Sequence, residues 1–148
     1  AHPLDGFGLL VPSDQPLPAA PSVLGILFPS SIFPDRTPED CVSILVMVGG
    51  SRDPSAREAS DHALEEQAVA AVRRVLGGEG RPGVVHTVRW PRAIPQYLPG
   101  HRQRIHDAKR TLGINHGLAL AGNYLQGVSV EDSVQAGFSA ASQLLGES

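Results

Sequence analysis

The stretch that most constrains this chain is LALAGNYLQGVSVEDSVQAGF at residues 118–138, where an apolar run passes through a glycine loop into a capped helix. Residues 118–121 read as a short buried strand, broken by Gly122-Asn123. Gly127 adds a second position where backbone can approach a ligand with no side chain in between. Ser129 stands three residues before Asp132, the spacing of a capping box. Val130, Val134, Phe138, Ala141 and Leu145 then recur at helical spacing and predict one buried face. The unpaired N–H groups at such a helix start, with the positive end of the dipole, suit a phosphate or an electron-rich carbonyl. The same pattern fits a plain strand–turn–helix of an α/β domain. On residues alone both readings stand.

The rest of the chain supplies a sheet and a covering helix. Residues 7–11 form a short strand candidate between glycine and proline. Residues 23–28 and 42–48 are apolar, β-rich runs joined by the proline-rich loop 29–38, and read as antiparallel neighbours. Residues 61–76 carry Leu64, Ala68, Val72 and Val75 on one face and charges on the other, an amphipathic helix stopped by Gly77-Gly78. Residues 84–90 are the next strand candidate, and Pro91, Pro95 and Pro99 hold the following segment extended. A helix over 101–112 leads into the final strand and helix.

Composition excludes several function classes. The 148 residues fit a single domain by length. With 41% hydrophobic residues, 18% charged and a net charge of −3, neither disorder nor a nucleic-acid-coating surface is indicated. Arg102, Arg104, Lys109 and Arg110 alternate with His106, Asp107 and Ala108 and read as a solvated helix face. Asp61, Glu65 and Glu66 read the same way. The apolar runs fall far short of the roughly 18 residues a spanning helix needs, and no secretory or transit signal is read at the start. The lone Cys41 excludes an internal disulfide. His101 and His106 do not share a helix face as i, i+4 ligands do, and no serine sits in a G-x-S-x-G elbow. No metal and no catalytic side chain is therefore expected. The only G-x-G-x-x-G, at 78–83, follows a helix and precedes a strand, where the dinucleotide fingerprint needs the reverse, and Pro82 removes an N–H. It reads as a helix-to-strand turn.

AGNYLQGVSVEDSVQAG at 121–137 closely resembles the C-terminal flavin-binding segment of the protoporphyrinogen oxidase family, within the larger FAD-linked amine oxidase group. RWPRAIPQYLPGH at 89–101 resembles that family's segment just upstream, and DGFGLLVPS at 5–13 and LVMVGGSR at 45–52 resemble its substrate-domain strands. The order is right and the four span almost the whole chain. The resemblance implies a mixed α+β and α/β fold. Residues 1–88 would be the C-terminal part of a substrate-binding domain, an antiparallel sheet with a covering helix. Residues 89–148 would be the C-terminal strand and helix of a two-domain FAD-binding fold. Family members are far longer and hold the FAD pyrophosphate on an N-terminal strand–GxGxxG–helix unit. The chain, which opens at Ala1, is accordingly expected to be a C-terminal portion or a truncated gene product.

By the same resemblance the complete enzyme uses non-covalent FAD for the six-electron oxidation of protoporphyrinogen IX to protoporphyrin IX, with O₂ as acceptor. The implied cofactor contacts are Trp90, Gly122, Gly127, Val128, Ser129 and Val130. Backbone N–H groups at 128–130 would donate to the pyrimidine side of the flavin, which carries negative charge when reduced. Trp90 equally reads as a core aromatic, and Tyr97 as a core residue whose hydroxyl finds a backbone partner. The implied substrate contacts are Phe7, Gly8, Leu10 and Met47, since a flat, greasy macrocycle needs apolar walls, a small residue for close approach and an adaptable thioether. Without the resemblance Met47 is a core strand residue. Ser133 stands where the family often has cysteine, and Leu9 where histidine is frequent. The implied partners are the missing N-terminal part, a membrane surface on which the enzyme sits peripherally, and a second copy in a homodimer. No nucleic acid is among them. The location is cytoplasmic or membrane-associated, at the mitochondrial inner membrane in a eukaryote. Two other readings stay open: a related flavin amine oxidase acting on a polyamine or carotenoid, and a non-catalytic remnant serving as partner or scaffold.

Overall fold

The structure, a computed structural model, describes residues 3–51, 53–113 and 117–146. The chain separates into two compact units, Ala1–Arg89 and Trp90–Ser148.

The first unit is a sheet with one helix over it. Strands β1 (Gly8–Leu10), β2 (Val23–Leu27) and β3 (Leu45–Val48) pair antiparallel in the order β1-β2-β3. Gly8 faces Leu27 and Leu10 faces Gly25, while Met47 faces Gly25 on the other side and Leu45 faces Leu27. Alternation therefore puts Gly8, Leu10, Gly25, Leu27, Leu45 and Met47 on one face and Leu9, Ile26 and Val46 on the other. A bulge between Val23 and Gly25 lets Val23 join the second face. That face is the core: Val23, Ile26 and Phe28 are fully buried, with Val11, Ala20, Ala71 and Leu76 around them and Leu9, Val46, Val48, Val72 and Val75 packed on the cluster. Each fully buried Val, Ile or Phe contributes roughly 1.5–3 kcal/mol by leaving water. The proline-rich link between β2 and β3 holds two short helical turns, α1 (Pro29–Ile32) and a 3-10 turn (Pro34–Arg36), where a plain loop is expected.

Helix α2 (Asp61–Leu76) has the expected bounds. Ser60 Oγ accepts from the Ala63 amide at 3.2 Å, and Gly77, left-handed at φ 69°, ends the helix by donating to the Arg73 carbonyl at 3.0 Å. Its acidic residues do more than face water. Asp61 Oδ1 accepts from Arg89 Nε at 2.7 Å, and Glu65 accepts from the Thr87 hydroxyl at 3.0 Å. Arg89 also donates to the carbonyls of Arg57 (3.1 Å) and Ala59 (2.6 Å), and Arg73 donates to the Gly80 carbonyl at 2.8 Å. These contacts bear on the strand expected at 84–90, which does not form. A strand needs a ladder partner, and none of the described residues pairs with this segment, so side chains of α2 hold it instead. The glycine turn at 78–83 thus follows a helix as expected but leads into irregular chain.

The second unit contains α3 (His101–Leu112) and α4 (Val130–Leu145), both within the expected ranges. Residues 118–121, expected as a buried strand, have no regular structure, for the same lack of a ladder partner. The apolar stripe of α4, expected to be buried, is exposed: Val130 is 82% and Phe138 67% accessible. Among the described residues of this unit only Leu125 is buried. The helix forms because its ends are well capped and its local sequence is helical, not because it packs.

Candidate functional site

The sheet of the first unit leaves one apolar face open. Leu10 and Met47 lie side by side across Gly25, whose missing side chain makes room for both: a Cβ there would stand 3.2 Å from Leu10 Cδ2 and 3.3 Å from Met47 Cε. Leu10 is 77% exposed and Met47 half-buried, so neither is a closed core residue. An open cavity of about 530 Å³ is lined by Leu10, Val11, Pro12, Ser13, Leu24 and Ser51 at the end of this face. Of the four substrate-side candidates, then, Leu10 and Met47 are brought together, Gly8 lies two residues along the same face, and Phe7 stands exposed just ahead of β1. Gly25 was not anticipated. The signal available was a glycine inside an apolar strand, which marks a close approach.

The cofactor-side candidates Gly122, Gly127, Val128, Ser129 and Val130 form one continuous loop running into α4. Ser129 Oγ accepts from the Asp132 amide at 3.0 Å, and Asp132 Oδ2 accepts from the Ser129 amide at 3.1 Å, so the expected capping box is complete. Gly127 is required by this cap, since a Cβ would fall on the Asp132 carboxylate. Gly122, at φ 135°, would bring a Cβ 2.9 Å from the Tyr124 ring, and Gly8, at φ 154°, 2.8 Å from Leu27 Cα. All three candidate glycines therefore have a reason inside the chain, independent of a ligand. Trp90 opens the second unit, 74% exposed, and no hydrogen bond or ring contact among the described residues draws it to the loop.

The Ser129 hydroxyl, helped by its amide, holds the Asp132 carboxyl below its ordinary range. It is ionised near neutrality and, with Glu131, already occupies the positive end of α4. The amides of Val128, Val130 and Glu131 have no acceptor among the described residues. Donors beside fixed carboxylates suit a neutral, electron-rich carbonyl better than a phosphate dianion. Of the two ligand types that such a helix start suits, the loop thus favours an electron-rich carbonyl over a phosphate.

Two side chains that sequence reasoning set aside tie this loop down. Tyr97 donates its hydroxyl to the Asn123 carbonyl at 2.5 Å, and His101 Nε2 lies 2.7 Å from the Tyr124 carbonyl. Their rings stack at 4.4 Å between centroids and 11° between planes. The backbone partner expected for Tyr97 is thus present, but the residue is exposed and not core, while His101, considered only as a metal ligand, is a hydrogen-bonding residue.

Known proteins match this chain over nearly all its length. It is 38% identical over 142 residues to a mitochondrial protoporphyrinogen oxidase of Nicotiana tabacum, covering 95% of this chain and 28% of the relative. It is 34% identical over 140 residues to protoporphyrinogen oxidase 2, chloroplastic/mitochondrial, of Arabidopsis thaliana, covering 95% and 27%. It is 36% identical over 156 residues to protoporphyrinogen oxidase of Homo sapiens, covering 99% and 31%. The chain thus spans under a third of the length of each. The family model for flavin containing amine oxidoreductases matches residues 3–145, and by that match the chain belongs to the flavin containing amine oxidoreductase family.

Proposed function

We propose that this chain is the C-terminal portion of an FAD-dependent protoporphyrinogen oxidase that converts protoporphyrinogen IX to protoporphyrin IX with O₂ as acceptor. The observation that carries the reading is the agreement of relatives from plants and human, all of one name, across about 95% or more of the chain. The residues support it. Leu10 and Met47, flanking Gly25, give a flat apolar macrocycle an open wall. This favours a tetrapyrrole over a polyamine, whose cationic groups would want carboxylates or an aromatic cage.

In this reading the first unit belongs to the substrate-binding domain and the second to the FAD-binding domain. FAD, when bound, would supply the hydride-accepting chemistry. The amides of Val128 and Val130 orient the pyrimidine edge, Gly122, Gly127 and Ser129 set the loop that carries them, and Trp90 borders the ring. Phe7, Gly8, Leu10 and Met47 bind and orient the porphyrinogen and exclude water from it. The rest of the enzyme supplies the pyrophosphate site. Association with a membrane surface, the mitochondrial inner membrane in a eukaryote, and pairing of two copies accompany this reading. Two of the relatives are named as mitochondrial or chloroplastic proteins, and among the described residues no helix is long and apolar enough to cross a membrane.

The test is turnover. The complete gene product, supplied with FAD, protoporphyrinogen IX and O₂, is expected to generate porphyrin fluorescence and to leave polyamines and carotenoids unchanged. No fluorescence above the uncatalysed rate, with flavin bound, would overturn the substrate assignment.

A further inference from the structure

We propose that Tyr97 and His101 are positioning residues that preset the glycine loop before the flavin arrives. The inference rests on the reading that the loop at 122–130 meets the flavin. The loop has no helical or strand bonds of its own; its turn is closed by one backbone contact, Leu125 N–H to the Gly122 carbonyl at 3.3 Å. Loops of that kind open easily. Two consecutive carbonyls in the turn, of Asn123 and Tyr124, are each held by a side chain more than twenty residues upstream. A carbonyl can only accept, so His101 carries its proton on Nε2.

The two holders are themselves prearranged. Leu98 N–H donates to the Gln96 carbonyl at 3.0 Å and His101 N–H to the Leu98 carbonyl at 2.9 Å, while Gly100 turns left-handed at φ 80°. This tight turn brings the phenol and imidazole into parallel contact just as α3 begins. The rings act as one plate from which two donors project. Fixing both carbonyls fixes the peptide planes on either side of Tyr124, and with them the path by which the chain reaches the amides of Val128 and Val130. Ordering the loop in advance removes an entropic cost from cofactor binding.

Amide hydrogen exchange on the complete gene product stripped of flavin tests the clamp, and its flavin affinity tests the clamp's purpose. Tyr97→Phe keeps the stack and deletes one donor; His101→Leu deletes the other; His101→Gln restores an N–H. Tyr97→Phe and His101→Leu are each expected to speed exchange at Leu125 about tenfold and to weaken flavin binding by a similar factor, the usual scale for one hydrogen bond. His101→Gln should recover most of both, with the melting temperature little changed throughout. Unchanged exchange in both deletion variants overturns the clamp. Faster exchange with unaltered flavin affinity overturns its role in cofactor binding and leaves the flavin reading intact. A wild-type gene product that retains no flavin overturns that reading, and the cofactor role with it, even where exchange reports the clamp.

Discussion

The two units solve the problem of holding a short chain in opposite ways. In the first, a three-stranded sheet buries Val23, Ile26 and Phe28 under α2, and polar contacts are added to a core that already exists. In the second, only Leu125 is buried among the described residues, and the side-chain cap of α4 and the polar contacts to the glycine loop do the holding. A helix such as α4 owes its form to Ser129, Asp132 and Gly146 at its ends, whereas α2 owes its place to what lies beneath it. The difference teaches that local sequence signals can write an element completely without writing its surroundings.

Substitutions in matched positions probe this contrast most strongly. Ile26→Ala opens a cavity in the core of the first unit and should cost about 2–5 kcal/mol, whereas Phe138→Ser on α4 should stay within about 0.5 kcal/mol. Urea melts of both variants check this; equal losses would mean that α4 is packed after all. A smaller effect separates the two faces of the sheet. Leu10→Ala on the open face should change stability by less than about 0.5 kcal/mol, yet weaken binding of porphyrinogen to the complete gene product roughly tenfold if the side chain lies fully under the ligand. A large drop in melting temperature with unchanged affinity would move Leu10 from the wall to the core.

The subtlest contrast is one of acid. Asp53 takes hydrogen bonds from the Ser22 hydroxyl, thirty-one residues away, and from Ser55, and these hold its carboxyl below its ordinary 3.8. Its contribution is fully present above the unfolded value and is lost as pH falls through the lower folded one. Asp132 is lowered in the same way, but by a neighbour three residues off. Acid below pH 3.8 should therefore loosen tertiary structure in the first unit and only fray the start of α4 in the second. Chemical-shift titration of the two carboxyls beside core methyls distinguishes them, and Asp53→Asn should flatten the response of the first unit alone.

Much of the architecture was legible because it is local. The glycine stop of α2, the capping box of α4, the start of α3 and the pairing of β2 with β3 across one connection are all written within a few residues of where they occur. What failed was whatever depends on a neighbour. The apolar stripe of α4 and the strands expected at 84–90 and 118–121 need a partner surface or a ladder, and a stretch of sequence states the need without supplying the partner. The same holds for the candidate site. Its residues were named by resemblance, but why Gly8, Gly122 and Gly127 are glycine came only from the crowding around them. Gly25, Tyr97 and His101 were missed because their importance lies in what they touch across the fold. Asp61 and Glu65 look like ordinary solvent charges until Arg89 and Thr87 arrive.

Arg89 is the last residue of the first unit, and its guanidinium is spoken for by Asp61 and the carbonyls of Arg57 and Ala59. A protease that reads arginine must take that side chain into its own pocket, which here means first undoing the start of α2. The bond at the seam is thus shielded by the side chain that would otherwise mark it for cutting. Arg81 is followed by proline, a poor site, while Arg92 is exposed in irregular chain. Next to the boundary, trypsin is therefore expected to cut after Arg92 in preference to Arg89, leaving Trp90 with the sheet, on the wrong side of the line that the fold draws.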